Sequence, residues 1–278
     1  MPEFAVNISM IGHPRPLAER LRSVAEAGFG AIEFWFPHQF ARVPGARARA
    51  VRSGGARNGT DGMARLTREL GLRVALFDLE PSQSHPYGHW ADPGAEDEFF
   101  RRLEDALGTA ERLGCRTLNV LQGEVLPEVG QERQMDCAVE RLGRAARRAG
   151  EAGVLLCVEA INTFDRPGSF CCTSALGLAI VQAVDSPWLR FQYDCYHMQL
   201  MEGDLIRTIE RSAAWIGHVQ VADPPGRHEP GTGEVNFENV LATLDRIGYR
   251  GVVSLEYWPS PGCRDPFAWL PREKRSLR

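Results

Sequence analysis

A chain of 278 residues with 44% hydrophobic content is long enough to bury a large core, and it matches the ~250 residues usual for an eight-stranded α/β barrel. Its formal charge of -4 gives no general electrostatic reason to approach nucleic acid or an anionic membrane, which leaves a small soluble molecule as the expected partner. Seven cysteines without a C-x-x-C pair, no signal-peptide pattern and no run of about 18 apolar residues together predict a reduced, cytoplasmic protein.

In chain order, short apolar runs alternate with longer amphipathic stretches, the pattern of repeated βα units and a parallel sheet. The runs are Phe4 to Met10, Ala31 to Phe36, Arg73 to Leu79, Thr117 to Leu121, Val154 to Ile161, Leu189 to Asp194, Gly217 to Ala222 and Val252 to Tyr257. Helical patterns such as LAERLRSVAEAG, FFRRLEDALGTAERLG, MDCAVERLGRAARRAGEAG and FENVLATLDRIG lie between them. Gly28, Gly114, Gly153 and Gly248 supply their stop signals. No Gly-rich phosphate loop follows the first strand, so the expectation is a single-domain (β/α)8 TIM barrel over residues 1–278 rather than an open doubly wound sheet.

Two segments interrupt the rhythm. Residues 41–60, rich in Arg, Gly and Ala with little apolar periodicity, read as a loop excursion that faces water or touches a partner. Residues 80–98 carry His85, Tyr87, His89 and Trp90 straight after the third strand, where a barrel places its active-site mouth.

Polar residues at the C-terminal ends of barrel strands face that mouth. Strand five ends near Glu159, strand six at Asp194, strand seven carries Gln220 and strand eight Glu256. Any one of these acids is equally readable as a cap or half of a salt bridge. Three carboxylates round one mouth resist joint ionisation unless a cation neutralises them. With the carboxamide oxygen they make an all-oxygen shell for one divalent metal ion, Mg2+ or Mn2+ favoured, with Zn2+ and Co2+ left open.

The segments VEAIN-TFDRPG, QYDCYHMQLMEGD, IGHVQVAD, RHEPGTGEVNF and LEY, between Val158 and Tyr257, resemble the hydroxypyruvate isomerase family, within the sugar isomerase/epimerase and endonuclease IV barrel superfamily. NISM and IEFWFP in the N-terminal half are similar more weakly. The resemblance implies that Glu159, Asp194, Gln220 and Glu256 bind the metal, that Glu159 and Glu256 also form the proton-transfer pair, and that His197 and Arg227 contact substrate oxygens. It further implies isomerisation of hydroxypyruvate to tartronate semialdehyde through an enediolate.

Three places depart from the family pattern. Ala160 stands where a proline is expected, Asp78 falls in Phe77 to Glu80 where a His-Asn pair is usual, and Glu124 follows Gly123 where a Gly-Lys pair is usual. The loss of a His and a Lys removes cations from the substrate's neighbourhood. Another ketose, a 2-oxo-tetronate or a specialised-metabolite intermediate is therefore the alternative substrate. A barrel that only binds a ligand, and a DNA-cleaving relative needing several metals and many histidines, are the remoter readings. Fold-level analogy leaves a homo-oligomer open.

Overall fold

The computed structural model describes residues 2–37 and 54–276. Eight parallel strands close into one barrel in sequence order: β1 (Glu3–Asn7), β2 (Ala31–Phe34), β3 (Arg73–Asp78), β4 (Thr117–Val120), β5 (Leu155–Glu159), β6 (Leu189–Asp194), β7 (Ile216–Val221) and β8 (Val252–Leu255), the last pairing back onto β1. Each expected apolar run overlaps its strand. The runs overshoot mainly where the chain turns over the mouth, as at Ile8 to Met10 after β1.

The described helices are α1 (Leu17–Glu26), α2 (Gly54–Glu69), α3 (Glu96–Leu113), α4 (Gln131–Glu151), α5 (Ser174–Val184), α6 (Cys195–Met201), α7 (Leu205–Ser212) and α8 (Phe237–Arg246). Helix α3 shows why such stretches fold as they do. Glu96, Asp97 and Glu98 sit in its first turn, where the helix dipole favours negative charge, and Phe99, Leu103, Leu107 and Ala110 recur on its buried face. It ends at Gly114, whose φ of 66° is left-handed and costs glycine little. Residues 41–53 of the Arg/Gly-rich segment lie outside the described residues, and from Gly54 the chain is already helical.

Side chains alternate across each strand, and the alternation is what builds the site. Phe4, Val6, Ile32, Leu118, Val158, Phe191, Val219 and Val253 join the main core beneath the helices. The opposite parity faces the barrel axis. Near the base it is small, with Ala5, Ala31 and Ala75 forming a separate cluster. Higher up it turns polar, with Asn7, Glu33, Asn119, Gln192, His218, Gln220 and Ser254 all buried. Such an interior is costly unless every group finds a partner, so the barrel axis is where function is expected.

Candidate active site

Glu159 and Asp194 close β5 and β6, and Glu256 follows β8 directly. Asp194 also caps α6, because its Oδ1 accepts the Tyr196 N–H at 2.8 Å. One carboxylate oxygen is thus committed to the backbone. The other, Oδ2, is buried with no hydrogen-bond partner. Glu159 Oε2 accepts from Asn119 Nδ2 at 2.8 Å. Glu256 is held more firmly, with Oε1 accepting from Trp35 Nε1 at 2.7 Å and Asn7 Nδ2 at 3.1 Å, and Oε2 from Arg227 Nη2 at 2.6 Å.

Burial and mutual repulsion raise the pKa values of these acids. Burial pushes the Glu159 carboxyl well above the usual carboxylate range, and the charges of Glu256 and Asp194 push it further. Asp194 is pushed up to about 7 by burial, with Arg227 opposing. Glu256 is raised by burial, again opposed by Arg227. Asp78, at the end of β3, is pushed well above its ordinary value by burial and then by Glu159, Glu256 and Glu33.

His197 joins Glu159 and Asp194 in one buried group whose potential ligand atoms lie within 4.8 Å of one another. Its Nε2 is 3.4 Å from Asp194 Oδ2 and 3.8 Å from Glu159 Oε1. The orientation of Asn162 decides what the ring offers. Asn162 Oδ1 accepts the N–H groups of Phe164 (2.9 Å) and Asp165 (2.8 Å), so its Nδ2 is the atom facing His197 Nδ1 at 2.6 Å. Nδ1 therefore accepts, and in the neutral ring Nε2 carries the hydrogen. Burial, followed by the charges of Arg227 and Arg166, holds the His197 pKa well below its usual value, so the ring stays neutral. His197 thus presents an N–H donor to the mouth, and the carboxylate oxygens are the atoms free to hold a cation.

Gln220 is engaged away from that group. Its Nε2 donates to Glu33 Oε1 at 2.7 Å, and its Oε1 accepts from Gln192 Nε2 at 2.7 Å. Glu33 also accepts from Asn7 Nδ2 at 2.9 Å and meets His218 Nε2 at 2.6 Å. Burial alone would raise the Glu33 pKa, but the His218 charge and these hydrogen bonds hold it below the ordinary value. The network links β1, β2 and β7 to Glu256 through Asn7. Glu33, Asn7 and Asn119 were not singled out in the sequence, although each is a polar residue inside an apolar strand, the same signal that marked Glu159 and Asp194.

Arg227 is set by its loop. It has a φ of 53°, its carbonyl accepts from Trp258 N at 3.0 Å, and its guanidinium lies 4.9 Å from the Tyr196 ring centre. Asp223 organises the EPGTGE run by accepting the N–H groups of Gly231, Gly233 and Val235. A Cβ at Gly233 would lie 1.9 Å from the Pro224 carbonyl oxygen, so only glycine fits there. On the opposite rim, Trp90 is fully buried with its Nε1 on the Val120 carbonyl, and Gly123 N donates to Tyr87 O. The 80–98 segment is thereby tied to the loop after β4.

Fold and site together define a parallel α/β barrel whose mouth gathers buried carboxylates. The xylose isomerase-like TIM barrel model matches residues 21–277, and the chain belongs to that family. It is 35% identical over 272 residues to the 2-oxo-tetronate isomerase of Cupriavidus necator, covering 97% of this chain and 98% of that one. It is 31% identical to the hydroxypyruvate isomerase of Escherichia coli, covering 97% and 98%. A crystal structure described as AP endonuclease, family 2, from Brucella melitensis superposes with a TM-score of 0.86 at 34% identity over 97% of this chain and 98% of that one. The chain is accordingly an enzyme of the isomerase class.

Proposed function

We propose that this protein isomerises a small hydroxy-keto acid, hydroxypyruvate to tartronate semialdehyde, with one divalent metal ion and two glutamates. The observation that carries the reading is the meeting of Glu159, Asp194 and His197 at the mouth, with Asp194 Oδ2 buried and unpartnered. That oxygen and the raised carboxyl pKa values fit a cation. Glu159, Asp194 and Glu256 would hold it, and Gln220 would join only once its amide turned from Glu33 and Gln192, an all-oxygen set that suits Mg2+ or Mn2+. When bound, such an ion supplies Lewis-acid stabilisation of the negative charge that develops on adjacent substrate oxygens.

The residues of the chain do the proton work. Glu256, whose oxygens accept from Trp35, Asn7 and Arg227, is the more readily ionised of the pair and takes the proton from C3 of hydroxypyruvate. The electron pair left behind forms the C2–C3 double bond of the enediolate. Glu159, held to a higher pKa, donates a proton to C2, giving the aldehyde at C3. The hydroxyl proton passes from O3 to the neighbouring O2, and the His197 Nε2–H is the donor available to those oxygens. Exchange with solvent restores both glutamates.

The 35% identity to a 2-oxo-tetronate isomerase favours a second reading, in which the substrate is one carbon longer and the same two proton transfers occur. Chelator-treated protein assayed on both acids, before and after addition of Mn2+ or Mg2+, tests the proposal. Turnover that returns only with the ion is expected, and full turnover in ion-free protein contradicts it.

A further inference from the structure

Arg166 lies in the loop between β5 and α5, and its role is assigned by what surrounds it. Its N–H donates to the Asn162 carbonyl at 3.2 Å, in the same turn whose Asn162 side chain holds His197. Its guanidinium lies 5.7 Å from the ring centre of Tyr87, on the rim segment after β3. Its Nη1 is buried and has no hydrogen-bond partner.

A buried guanidinium N–H without an acceptor in the chain is costly unless an external acceptor, a ligand or a water, meets it. The turn that carries Arg166 is the one whose Asn162 side chain meets His197, and the guanidinium charge is felt at both His197 and Asp78. The runs Phe77 to Glu80 and Gln122 to Glu124, where the family resemblance implies a His-Asn and a Gly-Lys pair, contain no histidine or lysine and supply no cation. Both mouth arginines keep a buried donor without a partner, Arg166 Nη1 and Arg227 Nε, but Arg227 already commits its Nη2 to Glu256.

We infer that Arg166 receives the carboxylate of the substrate through Nη1, with Tyr87 holding the guanidinium plane. The inference rests on the hydroxy-keto acid reading and deepens it by naming the group that selects an acid over a neutral sugar. Arginine suits the task because its planar donors match a carboxylate.

The test uses two inert ligands of the same shape, glycerate and glyceramide, which differ only in carboxylate against neutral amide. Their affinities are measured by calorimetry on the full-length protein with saturating Mn2+, for the wild type, Arg166→Met and Arg166→Lys. The wild type is expected to prefer glycerate, and Arg166→Met is expected to weaken glycerate by about 10- to 100-fold with glyceramide little changed. Arg166→Lys, which keeps the charge, should retain part of the preference. An undiminished preference in Arg166→Met, or no preference in the wild type, overturns the inference. An Arg166-dependent preference in a protein that turns over neither acid would instead overturn the substrate reading and leave the carboxylate site standing.

Discussion

His218 Nε2 lies 2.6 Å from Glu33 Oε2, and both side chains are almost wholly buried, at 2% and 1% exposure. The pair sits inside the barrel, where it fixes the Gln220 amide and, through Asn7, one oxygen of Glu256. Glu33→Gln removes the carboxylate that meets His218 and accepts from Gln220 and Asn7, and buried polar groups left unpaired cost about 1–3 kcal/mol each. Calorimetric melting should show a midpoint lower by roughly 10 °C. A midpoint within a degree of the wild type would mean that the pair contributes little to the fold.

Glu159→Gln and Glu256→Gln each remove a proton carrier while keeping the side-chain shape. Each is expected to lower kcat by ~10^2- to 10^4-fold, read by a coupled assay for the aldehyde product. Near-normal turnover of either variant would remove that residue from the proton-transfer pair.

Asn162→Ala frees the His197 ring from the contact that sets its tautomer. Losing one aligned donor of about 1.5 kcal/mol corresponds to roughly a tenfold fall in kcat/KM. Because the account treats His197 as a donor rather than a ligand, the Mn2+ content of Asn162→Ala should match that of the wild type. Loss of metal together with activity would make the ring a ligand instead.

Metal affinity should fall with pH in a defined direction. Asp194 titrates near about 7 and Glu159 well above its ordinary value, so protons compete with the ion as pH drops from 8 to 6. In the ion-free protein the raised carboxyl values have the opposite consequence. The folded state binds protons more tightly than the unfolded chain, so the stability contributed by Asp194 declines as pH rises between about 4 and about 7. Calorimetric titrations with Mn2+ in buffers of different ionisation enthalpy should show proton release on binding, larger at pH 6.5 than at pH 8.5. Binding without proton release at either pH would contradict the raised pKa values.

The barrel was legible because each strand is a short apolar run and the helices between them carry a 3.6-residue period. Glu159, Asp194, Gln220 and Glu256 were legible because an acid or amide at the end of an apolar strand faces the mouth. The same rule applied to β1, β2 and β4 would have found Asn7, Glu33 and Asn119. What the chain order conceals is which polar atoms meet. Whether Gln220 turns its amide to Glu33 or towards Asp194 depends on residues from four strands. Arg166 is one arginine among many in sequence, and its distinction, a buried Nη1 beside Tyr87, arises only when loops from β3 and β5 are brought together.

The central claim, two-glutamate proton transfer on a hydroxy-keto acid, is tested most directly by NMR in D2O with Mg2+-supplemented protein and hydroxypyruvate or 2-oxo-tetronate. The account predicts deuterium at the carbon beside the carbonyl of one of these acids together with appearance of its isomer, tartronate semialdehyde from hydroxypyruvate or the 3-oxo acid from 2-oxo-tetronate, both lost in Glu256→Gln. No exchange with either acid in protein that binds the ion, or exchange that persists undiminished in Glu256→Gln, would contradict it.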